Sequence, residues 1–169
     1  ITACRLLMVF PFLYCAFEEH YGIAVIIFAF ASISDGVDGH LARRFHWQTK
    51  LGAFADPLAD KFLVISSYVA LTINHKLPLW FTILVVSRDV FISLGSLWGA
   101  IFRKIEFKPT YVSKVNTVFQ LLVISTLLFQ LSYPILPPNL IPSLIILTTL
   151  TTAYSFVDYA IQWLYNLRT

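Results

Sequence analysis

Apolar residues dominate this chain in long runs, interrupted at intervals by short clusters of charge, proline and asparagine. Joining the runs and breaking them at those clusters predicts six helices, roughly Thr2–Phe17, Tyr21–Arg44, Leu51–Asn74, Pro78–Arg103, Tyr111–Tyr133 and Asn139–Asn166. Each is near the roughly 20 residues that a helix needs to cross a hydrocarbon core. The alternation of a membrane barrel strand is absent, and helices satisfy their own backbone polar groups within lipid. The expected fold class is therefore all-α, a polytopic integral membrane protein of six transmembrane helices forming one domain over residues 1–169.

Composition agrees. Hydrophobic residues make up 58% of the 169 and charged ones 12%, with a mean hydropathy of +0.76, whereas a soluble domain is about 25% charged. Cys4 and Cys15 sit in the first apolar run without metal-type spacing and read as packing residues. The chain opens on Ile1 inside an apolar run, so a preceding segment is expected.

Charge gives orientation. Ten of the twelve Lys and Arg fall in "RRFHWQTK", in "RKIEFKPTYVSK", at adjacent helix ends or at the termini, leaving Lys76 opposite and Arg88 mid-helix. The positive-inside rule then places both termini and both basic loops in the cytoplasm, of a bacterial inner membrane or a mitochondrial equivalent. The net charge of +3 reflects that face. No soluble basic domain exists to carry nucleic acid, so membrane lipids and anionic substrates are the expected partners. Gly95 and Gly99 form a GxxxG pair that serves packing within the bundle or a homodimer.

Against this background "SDGVDGHLARRFHWQTKLGAFADPLAD" carries four aspartates. Each costs roughly 2.5–3.5 kcal/mol at the centre of a membrane helix, so they must be compensated. On a helix Asp35, Asp38, Gly39, Ala42 and Arg43 share one face, and Gly52, Asp56 and Asp60 share another. The short linker predicts that the second and third helices are antiparallel neighbours with these stripes facing. Eight residues rise about 12 Å, which puts Asp35 and Asp60 at similar depth and Asp38 and Asp56 nearer the surface. Four carboxylates from two helices suit a pair of hard divalent cations, a recurring device for phosphoryl transfer. Two readings compete. A salt-bridge network with Arg43, Lys61 and Arg88 leaves the small residues at fixed offsets unexplained. A non-enzymatic ion carrier or scaffold would thread its carboxylates across the membrane, not gather them at one end.

Asp-x-x-Asp-Gly-x-x-Ala-Arg, followed after eight residues by Gly-x-x-x-Asp-x-x-x-Asp, resembles the signature of the CDP-alcohol phosphotransferase family, and every defined position matches. The resemblance implies six transmembrane helices and transfer of a phosphatidyl group from CDP-diacylglycerol to an alcohol with release of CMP. It implies two divalent cations, Mg²⁺ or Mn²⁺, held by Asp35, Asp38, Asp56 and Asp60. Asp60 would also be the general base, and Asp38, Gly39, Ala42, Arg43 and Gly52 would border CDP-diacylglycerol.

"SRDVFISLGSLW" and "KPTYVSKVNTVFQ" resemble the branch of phosphatidylglycerophosphate synthases and cardiolipin synthases. The acceptor is then glycerol 3-phosphate or phosphatidylglycerol, with glycerol 3-phosphate placed first. Arg88, Lys108 and Lys114 are the candidate acceptor-binding residues. Two departures bear on the choice: Arg88-Asp89 stands where the synthases of the first type commonly show Arg-Glu, and "SKVNT" is closer to the cardiolipin synthase version.

Overall fold

The computed structural model describes the backbone of residues 2–45, 50–98 and 111–168, and side chains within 7–34, 61–95 and 111–162. Six α-helices follow one another: α1 (Thr2–Phe17), α2 (Tyr21–Phe45), α3 (Lys50–Ile73), α4 (Leu79–Trp98), α5 (Tyr111–Ser132) and α6 (Leu140–Arg168). Among the described residues there is no strand. The predicted helices match within two residues at every end except that of the fourth, whose stretch from residue 99 to Arg103 lies outside the described residues. Two helical segments, Tyr111–Ser132 and Leu140–Gln162, are long and apolar enough by themselves to cross a membrane.

The described faces explain the composition. Leu7, Phe10, Tyr14 and Phe17 on α1, and Ile23, Ile26, Phe30 and Ile33 on α2, recur at three- and four-residue intervals and are exposed. On α6 the same holds for Ile146, Leu150, Tyr154, Val157 and Ile161. A soluble helix presents polar residues outward; these helices present an apolar stripe outward, the arrangement that lipid favours.

The chain forms two compact units. The first comprises residues 1–77 with 124–136. Here α1 packs against both α2 and α3. Val9, Phe12 and Ala16 of α1, Ala24, Phe28 and Ala31 of α2, and Leu63, Ser67, Ala70 and Leu71 of α3 are buried. Alanines at this seam let the backbones approach, and the Phe12 and Phe28 rings fill the gap at 5.9 Å between centroids. The linker predicts direct pairing of α2 and α3; in the described residues the extended packing is that of each helix on α1. A short linker enforces adjacency only near itself, and two helices of about 36 Å can admit a third at their far ends.

Those far ends share one corner. Both α1 and α3 stop at a left-handed residue that is not glycine, Glu19 with φ 58° and His75 with φ 57°. The turns are closed by His20 N–H to the Cys15 carbonyl at 2.8 Å and Lys76 N–H to the Leu71 carbonyl at 2.9 Å, the six-to-one bond of a Schellman ending. Asn74 Nδ2 donates to the Ala16 carbonyl at 2.6 Å and reaches the Tyr21 hydroxyl at 3.5 Å. Lys76 pairs with Glu19 at 3.6 Å and lies over the Tyr21 ring. A Cβ at Gly22 would come within 3.8 Å of the Ser132 hydroxyl, bringing the end of α5 to the same corner. The connections "FEEHY" (17–21) and "NHKLP" (74–78) therefore lie together.

The second unit comprises residues 78–123 with 137–169, in which α4 packs against α6. Its interior is polar where a soluble core would be apolar: Arg88, Asp89, Asn116, Gln120, Thr148, Thr152 and Ser155 are all buried.

Candidate functional site

The positions singled out by the sequence fall in two places. Asp35, Asp38, Gly39, Ala42 and Arg43 lie in the last three turns of α2, and Gly52, Asp56 and Asp60 in the first three of α3. Their side chains lie outside the described residues, but the helices bearing them fix their heights. Asn74 meets Tyr21 at the opposite end of the unit. Asp35 stands fourteen residues beyond Tyr21 along α2, and Asp60 fourteen before Asn74 along α3. At the helical rise both come about 21 Å from that contact. Asp38 and Asp56, by the same measure, come about 26 and 27 Å from it.

Register adds a second constraint. Among the described residues of α2 the buried positions are Tyr21, Ala24, Phe28 and Ala31, and positions 35, 38 and 42 fall on the same three-four spacing. On α3, Leu63, Ser67 and Ala70 are buried, and the spacing runs back through 60 and 56. Both acidic sets thus continue the interior register of their own helix at matched height. Carboxylates, as a residue type, supply the hard oxygen donors that divalent cations of the Mg²⁺ or Mn²⁺ type favour. Among the residues whose side chains are described, no other group of His, Cys, Asp or Glu could hold a metal.

The acceptor candidates diverge. Lys108 lies outside the described residues. Lys114 is exposed on the first turn of α5, its ammonium 5.7 Å from the Tyr111 ring centroid. Arg88 is 1% exposed. Its Nη1 donates to Asp89 Oδ1 at 2.7 Å, its Nη2 to Ser113 and Ser155, and its Nε to Ser155 at 3.2 Å. Gln120 Nε2 lies 3.5 Å from the same Asp89 oxygen. One guanidinium thereby ties α4 to α5 and α6, its charge balanced by the next residue in sequence. Burying such a pair brings little net stability, but removing one partner strands the other.

Asn116 extends this cluster. Its Oδ1 accepts from Thr151 and Thr152, each at 2.8 Å, while its Nδ2 is buried without a hydrogen-bond partner. A stranded amide costs about 1–3 kcal/mol. Asn116, Gln120, Thr152 and Ser155 were not among the candidates read from the sequence. The available signal was the spacing of Ser113, Asn116 and Gln120, and of Thr148, Thr152 and Ser155, at three- and four-residue intervals in otherwise apolar helices. Gly95 has nothing within 4 Å of its Cβ position among the described residues.

Comparison with known proteins places these features in context. The family model described as CDP-alcohol phosphatidyltransferase matches residues 1–160. A human CMP-forming cardiolipin synthase is 31% identical over 86% of this chain and 55% of its own length. A probable phosphatidylglycerophosphate synthase of Mycobacterium tuberculosis is 32% identical over 96% of this chain and 80% of its own. A Haemophilus influenzae protein named CDP-diacylglycerol–glycerol-3-phosphate 3-phosphatidyltransferase is 33% identical over 77% of this chain and 74% of its own. The chain thus spans little more than half of the human relative, whose match covers 55% of its length, and most of the bacterial ones.

Proposed function

The chain belongs to the CDP-alcohol phosphatidyltransferase family, and from that membership we propose that it moves the phosphatidyl group of CDP-diacylglycerol to a glycerol-type hydroxyl, releasing CMP. Glycerol 3-phosphate is the assigned acceptor, the substrate in the name of the Haemophilus relative. Phosphatidylglycerol, giving cardiolipin, is the second reading, favoured by the comparable identity to the human cardiolipin synthase.

The observation that carries the proposal is the equal height of residues 35 and 60 above the Asn74–Tyr21 contact, joined to the match of all eight signature positions. Asp35, Asp38, Asp56 and Asp60 would hold two divalent cations. When bound, such ions neutralise a diphosphate and the charge developing on a departing nucleotide. Asp60 takes the proton of the attacking hydroxyl as general base. Arg43 offers a bidentate contact to a phosphate oxygen of CDP-diacylglycerol. Gly39, Ala42 and Gly52 leave room for the nucleotide beside Asp38. Lys108 and Lys114 draw the anionic acceptor by long-range attraction, whereas Arg88, the third acceptor candidate, is buried with its charge balanced by Asp89 and would act by position alone.

The topology proposed is six membrane spans in a single domain over residues 1–169, with the aspartate end and both termini at the cytoplasmic face. The outward apolar stripes on α1, α2 and α6 support it, as does the gathering of "FEEHY" and "NHKLP" at the corner away from the basic linker. A homodimer contact on α4 would use Gly95, whose Cβ position has nothing within 4 Å among the described residues.

The test is CMP release by purified protein from CDP-diacylglycerol with Mg²⁺ or Mn²⁺, with glycerol 3-phosphate and phosphatidylglycerol in parallel reactions. Release that requires glycerol 3-phosphate supports the first reading; release that requires phosphatidylglycerol replaces it with the second. No CMP with either acceptor overturns both.

A further inference from the structure

We propose that the carboxamide of Asn116 hydrogen-bonds an uncharged hydroxyl of the acceptor alcohol within the polar cluster of α4, α5 and α6, an inference that rests on the transferase reading. Asn116 is fully buried. One end of its carboxamide is saturated by Thr151 and Thr152, and the other has no partner. Whichever way the amide is turned, the threonines occupy one end and leave the other. An apolar residue of similar volume would avoid that penalty, so the unused end points to a ligand.

The surroundings select the chemistry. Arg88 is balanced by Asp89, so this pair brings no net charge to the cluster. The remaining groups are hydroxyls and carboxamides: Ser113, Gln120, Thr151, Thr152 and Ser155. A phosphate dianion entering here would need a cation not already paired. A hydroxyl donates and accepts at once, and so meets the free end of Asn116 in either orientation.

Position agrees. Ser113 bonds to Arg88 one turn before Asn116, and Gln120 approaches Asp89 one turn after. The free amide is thereby level with the ion pair. It is also only about 7.5 Å along α5 from Tyr111, which is 87% exposed.

The test deletes the hydroxyl and the amide separately and together. Glycerol 3-phosphate is compared with 3-hydroxypropyl phosphate, and phosphatidylglycerol with phosphatidyl-1,3-propanediol, in the wild type, Asn116→Ala, Asn116→Leu and Thr152→Val. The wild type is expected to show kcat/KM about 10- to 100-fold lower for the deoxy acceptor. Asn116→Ala should bring the true acceptor down by a similar factor and erase the preference, with KM for CDP-diacylglycerol unchanged. Asn116→Leu, which keeps the volume and offers the hydroxyl no polar partner, should also erase it and carries the test if the alanine variant does not fold. Thr152→Val alters the saturated end alone and should keep the preference.

A wild type indifferent to the missing hydroxyl, or Asn116 variants that retain the preference, would overturn the inference while leaving the transferase reading intact. Loss of the preference in Thr152→Val to the same degree as in Asn116→Ala would assign Asn116 to packing alone. A wild type that releases no CMP with either acceptor removes the reading on which the inference rests, and the inference with it.

Discussion

The side-chain amide of Asn74 lies 2.6 Å from the carbonyl oxygen of Ala16, which also accepts from the Glu19 N–H at 3.3 Å, joining the end of α3 to the end of α1. Asn74→Ala is expected to destabilise the protein by about 1–2 kcal/mol. It should appear as a lower midpoint of thermal unfolding in detergent, with transferase activity at low temperature kept. An unchanged midpoint would mean that the corner contributes nothing to holding the two helices in register.

Arg88 and Asp89 form a buried pair on adjacent residues. Arg88→Met strands a carboxylate and Asp89→Leu strands a guanidinium, and each is expected to destabilise by about 3–5 kcal/mol. The double variant should lose clearly less than the sum, and denaturant or thermal unfolding of the three variants measures the coupling. Additive losses would show that the two charges are held by other groups.

Asp60→Asn is expected to lower kcat by about 10²- to 10⁴-fold with KM for CDP-diacylglycerol little changed. Chelation should abolish activity in the wild type, and Mg²⁺ or Mn²⁺ should restore it. Asparagine at 35, 38 or 56 should raise the metal concentration needed for half-maximal rate. Full activity after exhaustive chelation would remove the metal assignment.

Glu19 and Lys50 lie at opposite ends of the first unit. In a chain carrying Cys4→Ser and Cys15→Ser, the variants Glu19→Cys and Lys50→Cys should react with a membrane-impermeant thiol reagent from opposite sides of a sealed vesicle. Labelling of both from one side would contradict the proposed span of α2.

How far the sequence reaches can be judged residue by residue. Ile23, Ile26, Phe30 and Ile33 mark a helix because their spacing is a property of the local chain, and helix ends follow from local hydrogen bonding. The aspartate pattern was equally legible, since i, i+3 and i+4 spacings convert directly into a shared face. The roles of Ser113, Asn116, Gln120 and Ser155 were not, because a serine or asparagine in an apolar helix can face a neighbouring helix, its own backbone or lipid headgroups. Only the packing partner distinguishes these.

By itself, then, the sequence determined six helices, their charge asymmetry and the two acidic stripes, all consequences of local periodicity and of the energy of placing polar groups in hydrocarbon. Tertiary structure alone decided that α1 is the element on which both α2 and α3 pack, and that Arg88 is balanced by its own neighbour while bridging three helices. The reason is that an apolar or polar stripe states what kind of surface it requires but not which surface supplies it. That choice is made when side chains with sequence separations of 25 and 67 residues, such as Arg88 with Ser113 and Ser155, come within hydrogen-bonding distance.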